Sequence, residues 1–253
     1  MIRSKIKVLR SHGRQAIPDL CNVELTEEFR GRPVLSHGAD APLEAAARRC
    51  PTGALSALPF TLDLGRCMFC GECARIAPER IRFTNDYRLG SPTREGLVVG
   101  VGDTRIDFPR HAIRPELHPL FGRSLHLREV CAGGDGSVEM ELNATGNVNF
   151  DFGRFGIGFT ASPRHADGVV VSGAVTQQMS EPLAICYDAV PDPKLLVACG
   201  TEACSGGLFA TSRAIDRTFF DTHTPDLWLP GAPTHPMTFI DGMMNLLGLK
   251  TRE

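Results

Sequence analysis

Cys67-Met68-Phe69-Cys70-Gly71-Glu72-Cys73 sets three cysteines at two-residue gaps, and Cys50-Pro51 stands seventeen residues before Cys67. A cubane iron–sulfur cluster needs one thiolate on each iron. A tight turn of this kind brings three sulfurs to one side, and Gly71 eases the turn. The fourth ligand of such a run is commonly a remote Cys-Pro, which Cys50-Pro51 supplies. The spacing therefore points to one [4Fe–4S] cluster on Cys50, Cys67, Cys70 and Cys73. Thiolates replace protonated thiols at the metal, so binding releases protons and drives local folding. Four thiolates also suit zinc, and buried free cysteines are the plainest alternative. The two-residue gaps with a remote Cys-Pro favour iron–sulfur.

Bulk properties narrow the setting. Hydrophobic residues make up 42% of the 253-residue chain, enough for a sizeable core. A net charge of −2 gives no reason to expect a nucleic-acid partner. Basic bias is confined to Arg3, Lys5, Lys7, Arg10 and Arg14, interleaved with Ile2, Ile6, Val8 and Leu9. This run reads as a solvated basic face or as a docking or membrane-surface arm. No run of eighteen apolar residues spans a membrane, and the N-terminus lacks the apolar core of a secretory signal. A reducing compartment follows, so the nine cysteines are not a disulfide framework.

Residues 16–36 read as extended or turned, and 41–49 as a short helix that accepts Pro42 in its first turn. Residues 97–108 suggest a strand pair. Pro109, Pro115 and Pro119 break any long helix and mark an inter-domain connection. Beyond them, Val169-Val170-Val171 and Leu195-Leu196-Val197-Ala198 are continuous apolar runs. Helical character at 175–190 and 207–218 alternates with them. Buried strands alternating with helices imply a parallel α/β sheet.

Residues 20–90 resemble a known family. The carrying segments are Glu28-Phe29-Arg30-Gly31-Arg32-Pro33, Cys50-Pro51-Thr52-Gly53-Ala54 and Leu64-Gly65-Arg66-Cys67-Met68-Phe69-Cys70-Gly71. They resemble the two-cluster ferredoxin fold. More closely, they resemble the ferredoxin-like subunit of formate hydrogenlyase and membrane-bound hydrogenases, and the matching complex I subunit. The resemblance implies three further cysteines where Asp40, Leu43 and Ala46 stand, and a fourth at Ala77-Pro78. All four are absent, as clean loss of one cluster would leave them. Cys21 fits neither set and reads as a small buried hydrophobe.

Residues 126–253 resemble the small subunit of membrane-bound [NiFe] hydrogenases and its complex I counterpart. Gly153-Arg154-Phe155-Gly156-Ile157, Ser162-Pro163-Arg164-His165-Ala166-Asp167, Ser172-Gly173-Ala174-Val175-Thr176, Pro191-Asp192-Pro193-Lys194 and Ser205-Gly206-Gly207-Leu208-Phe209 occur in order. The resemblance implies a flavodoxin-like core whose edge loops hold a [4Fe–4S] cluster next to the large, catalytic subunit. With Glu139-Met140-Glu141 and Ala144-Thr145 as anchors, its ligand positions fall on Asp135, Val138, Glu202 and Ala232, none a cysteine. Cys131, Cys199 and Cys204 lie close by and are open to two readings, small apolar packing or a rebuilt site completed by Glu202 or Asp135. His165 reads as a structural loop residue, and His111, His118, His223 and His235 share no metal spacing. The Gly-rich stretch at 133–136 lacks the lysine of a phosphate loop.

The expected architecture is an α+β ferredoxin-like domain (37–108) after an N-terminal arm (1–36). A linker (109–125) leads to a flavodoxin-like α/β domain with a mostly parallel sheet (126–253). The resemblance implies an iron–sulfur subunit of a hydrogenase-like or complex I-like assembly, holding one [4Fe–4S] cluster and no self-contained active site. Expected partners are a hydrogenase large-subunit-like or complex I 49-kDa-like protein and membrane ion-translocating subunits, with no nucleic acid and no nucleotide. The expected place is the cytoplasmic face of the membrane. A structural or coupling subunit, with a structural or sensory cluster, is the alternative.

Overall fold

A computed structural model of the chain describes residues 2–13 and 15–249; Arg14 of the basic run lies outside them. The first helix, α1 (Ile2–His12), is exposed along its whole length. The next elements are β1 (Pro33–Leu35), α2 (Asp40–Arg49), β2 (Leu55–Ala57), β3 (Phe60–Asp63), α3 (Glu72–Ile76), β4 (Ile81–Phe83) and β5 (Val98–Gly100). β1 pairs antiparallel with β4, and β2-β3-β5 form a second antiparallel sheet. From β1 to β4 the order is therefore β-α-β-β-α-β. α2 forms as expected and buries Leu43 and Ala46 against this small core. The buried Arg80 ties the approach to α2 in place. Its guanidinium donates to Ser36 O at 2.8 Å and Gly38 O at 2.6 Å and lies over the Phe60 ring.

The second half continues with α4 (Leu117–Phe121), β6 (Leu125–Cys131), α5 (Ser137–Ala144), β7 (Ile157–Phe159), β8 (Gly168–Ser172), α6 (Gln177–Asp188), β9 (Leu195–Cys199), α7 (Thr201–Ser205), α8 (Thr218–Thr222), β10 (Leu227–Leu229) and α9 (Pro236–Leu246). The five strands form one parallel sheet in the order β10-β9-β8-β6-β7. β8 and β9 are buried at every residue, which explains their unbroken apolar sequence. The chain runs from β6 outward to β7, then back past β6 to β8. This reversal makes a crevice at the carboxyl ends of β6 and β8, the topological switch point of a flavodoxin-like sheet.

One face of the sheet packs on α9, itself buried along its whole length, and the other on α6 and Phe219. The first half of the chain joins the first of these cores through Leu20 and Tyr87. Two expectations differ from the structure. Residues 97–108 give one strand, β5, because the Asp103 carboxylate accepts from Gly100 N at 2.6 Å and turns the chain. Residues 207–218 give only a 3-10 turn at Gly207–Phe209, and α8 begins at Thr218. Among the described residues no helix is long and apolar enough to cross a membrane.

Candidate iron–sulfur site and the neighbouring crevice

Cys50 ends α2, with its N–H bonded to Ala47 O at 3.2 Å. Cys67 follows the turn after β3, Cys70 lies at the surface, and Cys73 sits in the first turn of α3. Between them the backbone takes left-handed values at Phe69 (φ 51°) and Gly71 (φ 79°). Such a turn aims successive N–H groups inward, a geometry suited to anionic sulfur. Phe69 N–H donates to Cys67 Sγ at 3.3 Å, and the N–H groups of Ala74 and Cys73 face the Cys73 sulfur.

The four sulfurs lie close enough for charge on one to affect another. Burial, reinforced by charge on Cys73, Cys50 and Cys70 and opposed by Phe69 N–H, pushes the Cys67 thiol up to about 12. Burial, with Cys70 and Cys50 nearby, pushes Cys73 up to about 11. Such thiols stay protonated at neutral pH unless a metal takes the sulfur. A single tetrahedral zinc, about 2.3 Å from each sulfur, would need them about 3.8 Å apart. Among the described residues no group of three or more His, Cys, Asp or Glu is placed to hold a metal ion. A four-iron cube takes one thiolate at each of four corners. The donor set and the inward N–H groups fit the cube.

The cysteine turn is gripped from two sides. Arg30 Nε donates to Phe69 O at 2.6 Å. From the second half, Thr201 Oγ1 donates to Cys67 O at 2.8 Å across a buried contact. Met68 then reaches the switch-point crevice, a cavity of about 140 Å³. Asp135, Val138, Glu202 and Ala232, the four positions singled out in the sequence, line this same cavity. Backbone closes tightly here: a Cβ on Gly173 (φ 78°) would lie 2.4 Å from Gly134 N. Met68 also lines a wider cleft of about 260 Å³ with Phe29, Arg30 and His235.

Beside the crevice lies a carboxylate network that sequence reading missed. Ser172 Oγ, fully buried, is 2.8 Å from Glu129 Oε1 and 2.6 Å from Glu139 Oε1. One hydroxyl hydrogen serves one acceptor, so the second contact needs a hydrogen on a carboxyl. Burial, countered by Ser172 and reinforced by Glu139, raises the Glu129 carboxyl. Burial, with Asp135 and Glu139 nearby, raises Glu202. Ser137 holds the Asp135 carboxyl below its usual range. The alternation of β6 carried the missing signal, since Leu125 and Leu127 are buried and Glu129 follows in the same period.

Cys199 and Cys204 are wholly inside the protein, and burial raises both thiols. Cys131 is exposed and meets Glu139. Among the described residues these three gather no fourth donor. Cys21 is half-buried against the core that includes α9. His235 caps α9 by accepting from Met237 N at 3.1 Å, and burial lowers its pKa. His165 is exposed in a turn.

Residues 131–246 match the family model described as the 20 Kd subunit of NADH ubiquinone oxidoreductase. The NADH-quinone oxidoreductase B subunit of Desulfovibrio desulfuricans is 40% identical over 114 residues, 45% of this chain and 62% of that protein. Its counterpart in Geobacter sp. strain M21 is 41% identical over 108 residues, 42% of this chain and 62% of that protein. The match thus spans under two thirds of either relative. Among solved structures, a chain of the membrane-bound sulfane sulfur reductase, an archaeal respiratory membrane complex, aligns with a TM-score of 0.46. That alignment has 25% identity and covers 54% of this chain and 75% of the other.

Proposed function

We propose that this chain is an iron–sulfur subunit of a membrane-associated, hydrogenase-like or complex I-like oxidoreductase. The observation that carries this reading is the Cys67–Cys73 turn of three thiols, with its inward N–H groups and Cys50 nearby, seated directly on the flavodoxin-like half. In this reading 37–108 is a ferredoxin-like unit, supported by its β-α-β-β-α-β order, and 126–253 is its fused small-subunit-like partner. The cysteines Cys50, Cys67, Cys70 and Cys73 hold one [4Fe–4S] cluster, which supplies one-electron transfer when bound. Phe69 N–H stabilises the Cys67 thiolate, while Arg30 and Thr201 fix the turn that presents it. The proposed neighbours are a large-subunit-like or 49-kDa-like protein over the crevice and membrane ion-translocating subunits. The proposed place is the cytoplasmic face of the membrane.

A second reading rests on the crevice. Asp135, Val138, Glu202 and Ala232 line it without a cysteine among them, so no second cluster continues the electron path there. The chain would then couple a membrane arm to a peripheral arm, with its cluster structural or sensory. Anaerobic purification, iron counting and EPR after dithionite reduction separate these readings. About four irons per chain and a reducible signal support the first. A cluster that no physiological donor reduces supports the second. About eight irons would overturn the single-cluster assignment. Cys70→Ser abolishes the signal; its survival would show that the ligand set is wrong.

A further inference from the structure

We propose that α1 is an interfacial helix that docks on an anionic lipid surface. At 3.6 residues per turn, Ile2, Ile6 and Leu9 fall within about 60° of one another on the helix circumference. Arg3 and Arg10 border this stripe on one side, with Lys7 beyond them, and Lys5 borders it on the other. Ile2, Ile6 and Leu9 are 75%, 44% and 71% exposed, and no residue of the helix is buried. No acid precedes Asp19 in the sequence.

An isolated helix of this length is marginal in water. This one buries no residue on the rest of the chain, so its apolar stripe calls for an external surface. Four cations without an acid select an anionic one. Long cationic side chains bordering a narrow apolar stripe suit the boundary between headgroups and acyl chains. There their aliphatic stems lie in the apolar layer and their charges reach the phosphates. The chain re-enters the fold at Ile17, whose N–H bonds to Asn149 O at 2.8 Å and whose carbonyl accepts from Arg154 at 2.9 Å. Leu20 is then buried. The helix is thus tethered a few residues from a fixed edge where Val148 is 60% exposed. Docking of α1 turns that edge toward the bilayer.

The inference extends the membrane-complex reading, but the two fail separately, because vesicle binding does not depend on iron. The purified full chain is mixed with phosphatidylcholine vesicles, with and without phosphatidylglycerol, and bound protein is separated by flotation. Binding to the anionic vesicles is expected, weak on neutral ones and falling as salt rises. Each Lys or Arg near an anionic surface contributes about a fivefold gain in partitioning. The pair K5E/K7E therefore lowers binding at least about 25-fold, and Ile6→Ser lowers it with all charges kept. No residue of α1 is buried, so these variants should fold, which circular dichroism checks. Failure to bind anionic vesicles, binding indifferent to lipid charge, or full binding by both variants overturns the proposal. So does lipid-free self-association that Ile6→Ser abolishes, which would assign the stripe to a second copy of the chain.

Discussion

Leu43, Ala46 and Ala77 are buried to 1%, 1% and 2% exposure where the resemblance implies cysteine ligands. They pack in the same core as Leu35, Leu64 and Ile81. These three positions are therefore filled by packed apolar side chains, while Asp40 stays exposed. Leu43→Ala should cost about 3 kcal/mol, the usual penalty for a core cavity, read as a lower urea midpoint. An unchanged midpoint would show that the position is loosely packed. The crevice near α5 follows another pattern, with carboxylates around Ser172. A carboxyl held protonated by the fold has a folded pKa above its unfolded value of about 4.3. The stability it contributes is complete below that value and is lost as pH rises through the raised folded value. Glu129→Gln keeps a hydrogen donor toward Ser172 and cannot ionise. The variant should therefore hold its stability as pH rises from about 4.3 through the raised folded value, where the parent loses it. Urea unfolding across this range tests the point, and equal losses in both proteins as pH rises would refute a protonated Glu129.

At the scale of elements, the long-period features were legible and the short ones were not. The runs at 169–171 and 195–198 announced β8 and β9 because both faces of those strands are buried. The helical expectation at 175–190 matches α6. By contrast, 207–218 is held by long-range contacts that local pattern cannot show. Thr176 bridges Ile215, and the Arg217 guanidinium donates to the carbonyls of Ala174, Glu202 and Ala203. The cysteine spacing is readable because it is local in the sequence, three cysteines within seven residues. The grip on the turn was not, since Thr201 lies 134 residues from Cys67. Thr201→Val keeps the volume and removes the hydroxyl, leaving the buried Cys67 carbonyl without this donor. It should lower stability by about 1 kcal/mol in urea unfolding. No change would mean that the turn holds its place by packing alone.

For the whole molecule, the contact between the halves decides whether the cysteine turn and the crevice move together. Trp228, the single tryptophan, belongs to β10 of the parallel sheet. Its side chain nevertheless packs in the core of the first half, with Leu64, Cys67 and Leu97. The backbones join there as well: Ser91 N donates to Trp228 O at 3.0 Å, and Trp228 N to Ser91 O at 2.8 Å. Gly90 completes the seam, since a Cβ there would lie 2.7 Å from Leu229 Cδ2. Ala198, Ala203 and Cys204 of the second half enter the same core. A seam built of shared core and paired backbone predicts that neither half unfolds alone. Trp228 fluorescence reports loss of the seam, and far-UV circular dichroism reports the helices and strands of both halves. The two urea transitions should therefore coincide. Trp228→Phe, retaining an aromatic ring in the pocket, should shift the circular dichroism transition down as one step. Trp228→Ala should remove about 3 kcal/mol or more. A fluorescence change well before the main transition, or a two-step profile in Trp228→Ala, would show that the halves are independent bodies. The placement of the four thiols beside the crevice would then be a matter of docking rather than of the fold.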